Sequence, residues 1–221
     1  NASKTGTIIG LSDLVFAGNQ YLSDYAAQFN KNIVIIPTTI DTDLYFPVKN
    51  KKEAGSVCIG WSGSFSTIQH FATAIPALKR IKDKFGSLVS FKIIGDKNYY
   101  CAELDTKGDA WIGATEIEDL SKIDIGIMPL PDDEWSKGKC GLKGLQYMAL
   151  EIPALMSPVG VNSEIIQNGV NGYLPATEDE WVEVLSKLIA DKALRDQIGK
   201  AGRQTVIERY SVQAWKQKYL D

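Results

Sequence analysis

The stretch Lys139-Cys140-Gly141-Leu142-Lys143-Gly144-Leu145-Gln146-Tyr147-Met148-Ala149-Leu150-Glu151-Ile152-Pro153-Ala154-Leu155-Met156-Ser157 decides how the chain is read. A glycine-containing entry leads into one helix, a tight turn and a short apolar strand. Leu142, Leu145, Met148 and Ala149 form the stripe that a helix turns toward a core. Lys143, Gln146 and Tyr147 fall at or beyond the border of that stripe, near the helix start. Unsatisfied backbone N–H groups and the positive end of the helix dipole favour an anion there, phosphate above all. A lysine gains nothing from that dipole, although the misplaced charge costs only about 0.3–1 kcal/mol. Its position suits a phosphate contact, and on position alone a solvated surface lysine fits equally well.

Outward from this element, strand and helix alternate. Val57-Cys58-Ile59-Gly60-Trp61 reads as a strand, and Ser62-Gly63-Ser64-Phe65-Ser66-Thr67 as a small-residue loop with good N-cap residues. A long amphipathic helix is expected over 68–85. Further strands are expected at Phe91–Gly95, Ala110–Gly113 and Ile123–Pro129, with a short helix over 116–121. Beyond Ser157 come a short helix at 163–167, turns at Asn168-Gly169 and Asn171-Gly172, and three helical segments from Asp179 to Leu220. Upstream, 13–18 and 33–36 read as buried strands around a helix from Gln20 to Phe29, and the polar, turn-rich region that begins at Asp41 reads as a linker. Regular alternation from residue 57 predicts an α/β fold with a doubly wound, Rossmann-like parallel sheet. Such sheets bind ligands beyond the carboxyl ends of their strands. Five loops would meet on that rim: Trp61–Thr67, Gly95–Asn98, Gly113–Glu116, Pro129–Gly141 and Ser157–Asn162. Their convergence suits a ligand the size of a nucleotide.

Composition narrows the chemistry. The chain has 221 residues with a net charge of −3 and a sequence pI near 5.3. This is no footprint for nucleic acid or an anionic membrane surface. No apolar run approaches the roughly 20 residues of a membrane span. Cys58, Cys101 and Cys140 lack paired spacing, which suits reduced thiols and a cytoplasmic location and argues against zinc. His70 is the single histidine, so a serine triad or a histidine-ligated metal centre would have to run through it. Its place in the first turn of a long helix predicts exposure. Asp132-Asp133 is the one acidic pair on the rim, and reads as a solvated loop rather than a metal site.

From Asp13 to Tyr219 the chain resembles the C-terminal, donor-binding half of a GT-B glycosyltransferase of the family-4 retaining type, glycosyltransferase group 1. The resemblance is carried by Ile35-Ile36-Pro37-Thr38-Thr39-Ile40-Asp41, Ile59-Gly60-Trp61-Ser62-Gly63-Ser64 and Asp124-Ile125-Gly126-Ile127-Met128-Pro129-Leu130. Its most specific piece is Gly138–Ala149 with Pro153 and Ser157-Pro158-Val159-Gly160. Asn168-Gly169-Val170-Asn171-Gly172-Tyr173-Leu174 and Tyr210-Ser211 complete it.

The resemblance implies four parts: 1–40 as the last strand–helix–strand of an N-terminal domain, 41–55 as linker, 56–209 as donor domain, and 210–221 as a helix crossing back. It implies a UDP- or GDP-linked nucleotide-sugar as substrate, no cofactor or metal, and an N-terminal acceptor-binding domain as partner. It is compatible with peripheral membrane association of a longer protein and with a role in polysaccharide biosynthesis. Lys143 is the expected diphosphate ligand and catalytic cation. Gln146, at the second of two glutamate positions in the family, is the expected ribose ligand. Gly63, Ser64, Gly138, Cys140, Gly141 and Leu142 are expected around phosphate and sugar, and Gly113 and Ile117 around the base. Two departures stand out. Gly138 occupies the first glutamate position, and Trp61–Thr67 lacks the usual basic residues. Two alternatives to transfer therefore stay open, a non-catalytic nucleotide-sugar-binding module and a GT-B sugar-nucleotide epimerase. This portion by itself is not expected to turn over.

Overall fold

The computed structural model describes residues 2–48 and 55–220, so residues 49–54 of the expected linker lie outside the described residues. The N-terminal part holds α1 (Ala2–Leu11), β1 (Val15–Ala17), α2 (Gln20–Ala26) and β2 (Ile33–Ile35), with β1 and β2 paired in parallel as a separate two-stranded sheet. Asn19 caps α2 through its side-chain oxygen, which accepts from the Leu22 N–H at 2.8 Å. The helix α1 has no counterpart in the sequence reading.

The main sheet comprises β3 (Val57–Ser62), β4 (Val89–Ile94), β5 (Tyr100–Cys101), β6 (Thr106–Asp109), β7 (Ile125–Met128) and β8 (Ala154–Met156). Their spatial order is β5-β6-β4-β3-β7-β8, parallel throughout except for the antiparallel β5–β6 pair. The helices are α3 (Ile68–Ala72), α4 (Ile75–Phe85), α5 (Glu116–Leu120), α6 (Glu134–Lys137), α7 (Leu142–Ala149), α8 (Asn162–Ile165), α9 (Glu178–Ala190), α10 (Lys192–Arg209) and α11 (Val212–Leu220). Every residue of β7 and β8 is buried, which is why both read as continuous apolar runs. On β7, Ile125 and Ile127 join the cluster of Trp61, Phe71, Leu78, Ile81 and Leu185 beneath α3, α4 and α9. Met128 joins Leu120, Leu145, Tyr147 and Val206 beneath α5, α7 and α10. Two cores flank one sheet, the doubly wound arrangement expected.

Several expectations need correction. The single helix over 68–85 is two, α3 and α4, divided at Thr73-Ala74. Pro76 has no N–H to give the Ala72 carbonyl, and its ring clashes with that carbonyl in a continuous helix, so the chain restarts. The strand expected at Ala110–Gly113 lies earlier, at Thr106–Asp109, and Trp111 and Ile112 are exposed loop residues. His70 is buried at 4% exposure, because α3 packs its last turn into the core beside Phe71. Gln146 and Tyr147 are also buried, not at the border of the helix stripe.

The seat of α7 is set by β7 and β3. A Cβ at Gly126 would overlap the Tyr147 ring. The Tyr147 hydroxyl, fully buried, accepts a hydrogen bond from the Ser62 N–H at 2.8 Å. Tyr147→Phe leaves that buried N–H without its acceptor and is expected to cost about 1–3 kcal/mol. Gly126→Ala is expected to cost a similar amount, about 1–3 kcal/mol, by crowding the ring. Urea denaturation of both variants checks this, and unchanged midpoints would show that α7 does not depend on this seat.

Candidate functional site

From β3 the chain builds outward to β4 and β6, then returns to the opposite side of β3 at β7. The order reverses between β3 and β7, and ligands of such sheets bind beyond the strand ends at that reversal. A cleft of about 480 Å³ opens there. It is lined by the loop after β3, by Leu142, Lys143 and Gln146 of α7, and by Gly95, Trp111 and Glu116.

Lys143 sits in the first turn of α7, with its Nζ 4.8 Å from the centroid of the Trp61 ring. That ring is fixed against Phe71 at 5.8 Å between centroids. Among the described residues Lys143 has no ion-pair partner. Burial, and then the neighbouring charge of Lys139, push it down to about 8. The helix start carries no side-chain cap, and Gly141 enters it in a left-handed conformation at φ 71°. A Cβ there would meet Ile165 as well, so glycine is required twice over. The result is a partly buried cation beside uncapped helix N–H groups, an arrangement that favours an anion.

The remaining expected residues divide. Gly63, Ser64, Leu142 and Gln146 line the same cleft as Lys143. The N–H groups expected to hold phosphate are engaged, however: Gly63 donates to the Ile94 carbonyl at 2.9 Å and Ser64 to Thr67 Oγ1 at 3.0 Å. The loop offers hydroxyls instead, with Ser64 Oγ 2.9 Å from Ser66 Oγ. Gln146 Nε2 donates to Tyr45 Oη at 2.9 Å, which leaves its carbonyl oxygen for a ligand. Gly113 and Ile117 do not line the cleft. Ile117 packs on the core, and Gly113 lies under the Trp111 ring, whose Cη2 is 3.4 Å from where a Cβ would stand.

Gly138, Cys140 and Gly141 lie on the approach to α7 and outside the cleft lining. Gly138 ends α6 at φ −75°, and the nearest atom to a Cβ there is the Trp135 carbonyl oxygen at 3.5 Å. A side chain would fit, so no steric demand keeps glycine there. Cys140 Sγ packs over Gly18. Asp133 caps α6 through the Ser136 N–H at 2.7 Å, and Asp132 lies 3.6 Å from Lys137. His70 Nε2 is buried without a hydrogen-bond partner. Burial foremost, then Lys139 and Lys143, hold the ring below the usual histidine range.

The sequence reading missed Trp111, Glu116, Phe65 and Tyr45. Trp111 Nε1 donates to Glu116 Oε1 at 2.7 Å, and the Tyr45 hydroxyl donates to Glu116 Oε2. Burial first, and the bond to Glu116 second, push Tyr45 up to about 12, so its hydroxyl remains a donor at neutral pH. The apolar run Ala110–Gly113 was the available signal. It marks an exposed tryptophan on the cleft wall rather than a strand.

Over 86 residues, 36% of the chain, it is 31% identical to a sucrose synthase of Melioribacter roseus, and it spans 11% of that relative. Among solved structures, HepE of Anabaena in complex with UDP and glucose superposes with a TM-score of 0.79 at 17% identity, over 100% of this chain and 66% of that one. TarM of S. aureus superposes at 0.78 and 18% identity, over 99% of this chain and 45% of that one. At such identities the likeness shows the fold, the Rossmann-like C-terminal domain of GT-B glycosyltransferases. The family model for glycosyl transferases group 1 matches residues 56–191, more than half of the chain, and the chain belongs to that family.

Proposed function

We propose that this domain binds a nucleotide-sugar donor, UDP- or GDP-linked, through its diphosphate. In that role it serves retaining, metal-independent transfer of the sugar to a glycan or lipid-linked acceptor held by a separate N-terminal domain. The observation that carries the reading is Lys143: a partly buried lysine, without a counter-ion, at an uncapped helix start in the cleft. In transfer, the bond between the anomeric carbon and the diphosphate oxygen breaks. Negative charge grows on the leaving diphosphate, and Lys143 with the first N–H groups of α7 meets it. Gln146 offers its carbonyl oxygen to the nucleoside. The structures of HepE and TarM in complex with UDP support a diphosphate as the ligand. Within that reading the protein works in the cytoplasm in polysaccharide biosynthesis, and the domain by itself does not turn over.

One observation favours a second reading, a module that binds donor without transferring it. Gly138 stands where the family places a glutamate near the donor sugar, although a side chain has room there. Acceptor-dependent release of free nucleotide by a full-length protein is the expected outcome. Donor binding without release would favour the module.

Calorimetric titration with UDP, GDP and ADP tests the site directly. One of the three is expected to bind, and Lys143→Met to weaken it roughly tenfold or more, the worth of a charged hydrogen bond. In the free protein Lys143 loses its proton near pH 8. Affinity should therefore hold steady below that pH and fall as pH rises from 8 to 9.5, while the variant shows no such fall. The unliganded variant should melt no lower than the parent. A lysine whose folded value lies below its unfolded one of about 10.4 destabilises the fold at neutral pH, on the order of 1–2 kcal/mol given its partial exposure. A pH-independent affinity in the parent would remove Lys143 from the diphosphate site.

A further inference from the structure

The cleft that holds Lys143 carries a second recognition group. Glu116 lines the cleft, and each of its carboxylate oxygens already accepts one bond, from Trp111 Nε1 at 2.7 Å and from the Tyr45 hydroxyl. Tyr45 is in turn held by Gln146 Nε2 at 2.9 Å. A carboxylate has about four acceptor positions, so roughly two remain. Among the described residues no lysine or arginine pairs with Glu116. The group is thus a carboxylate oriented by two neutral donors, with no cation paired to it among the described residues, beside the cleft.

Charge then orders the ligand along the cleft. An anionic group is attracted to Lys143 and repelled by Glu116, so what meets Glu116 must be neutral and must donate hydrogen bonds. Beside Glu116 stand two aromatic rings that the fold leaves in water, Trp111 at 51% exposure and Phe65 at 75%. The Trp111 ring is fixed in place by its bond to Glu116, so it is a preset face for a flat ring. Anion, paired hydroxyl donors and flat ring together describe a nucleoside diphosphate whose ribose keeps both hydroxyls.

We infer that Glu116 accepts hydrogen bonds from the 2′- and 3′-hydroxyls of the nucleotide ribose while Trp111 stacks on the base. The first residue of α5, rather than α7, therefore selects ribonucleotide over deoxyribonucleotide. Gln146 acts mainly through Tyr45, as the residue that positions the carboxylate. This inference rests on the proposal that the cleft binds a nucleotide-sugar by its diphosphate.

The first test needs no variant. The chain is titrated with UDP and 2′-deoxy-UDP, and with GDP and 2′-deoxy-GDP. The binding ribonucleotide is expected to exceed its deoxy counterpart by roughly tenfold or more, since a hydrogen bond to a charged group is lost. Glu116→Gln is expected to bring the two within about threefold of each other, chiefly by weakening the ribonucleotide. Trp111→Ala should weaken both, because each loses the stacked ring. Thermal melting shows whether each variant is folded, and the parent comparison stands even where one is not. Equal binding of ribo- and deoxynucleotide by the parent would overturn the role of Glu116 and leave diphosphate binding intact. Failure of all four to bind at millimolar concentration would overturn diphosphate binding and the Glu116 role together.

Discussion

The buried Tyr147 hydroxyl, accepting from the Ser62 N–H, is the contact on which the geometry of the cleft depends. It joins the middle of α7 to the carboxyl end of β3 across the bare backbone of Gly126. Lys143 and Tyr147 are four residues apart and so share one helix face. With Tyr147 seated beneath Ser62, the preceding turn of that face falls over Trp61, the residue before Ser62, and Lys143 lies where it does. The functional face of α7 is thus its buried face continued by one turn toward the strand ends. This accounts for a lysine that is partly desolvated and for a glutamine that is buried but hydrogen-bonded.

The fold was legible because its cause is local and repeated. Ile125-Gly126-Ile127-Met128 and Ala154-Leu155-Met156 are buried on both faces, and such strands write themselves as apolar runs. Errors arose where one residue overrules a pattern. Pro76 divides an otherwise continuous amphipathic helix, and periodicity does not register a missing N–H. Trp111 and Ile112 mimic a strand because exposed apolar residues on a cleft wall carry the same letters as buried ones. His70 was expected outside because of its place in the first turn of a long helix. Its burial follows from how the short α3 lies against Phe71 and Trp61, which only packing decides.

The candidate site was legible at its phosphate end and not at its other end. Lys143 could be singled out because a positive charge at a helix start contradicts the dipole, a conflict visible within a few residues of sequence. Tyr45, Glu116 and Trp111 converge from segments up to 71 residues apart, and no local conflict announces them. The same limit applies to Gly63 and Ser64. A small-residue loop after a strand looked like a backbone cradle, yet whether its N–H groups are free depends on Ile94 and Thr67.

The approach to α7 shows how far the site reaches beyond the main sheet. Asn19 caps α2 with its side-chain oxygen and, with its amide nitrogen, donates to the carbonyls of Lys137 at 3.4 Å and Lys139 at 3.0 Å. The Tyr21 hydroxyl donates to Glu134, and Gly18 leaves room for Cys140 Sγ. Within the 134–140 segment, Glu134, Lys137, Lys139 and Cys140 are therefore held by residues 18–21, where β1 leads into α2. At its far end this segment runs directly into Gly141, whose left-handed φ aims the first N–H groups of α7. A shift of β1 and α2 relative to the main sheet would pull on those carbonyls and re-aim the helix start. The start of α7 is thus mechanically joined to the N-terminal segment. Gly138, free of any steric requirement for glycine, sits in the middle of that linkage, where an added side chain would have to move with it.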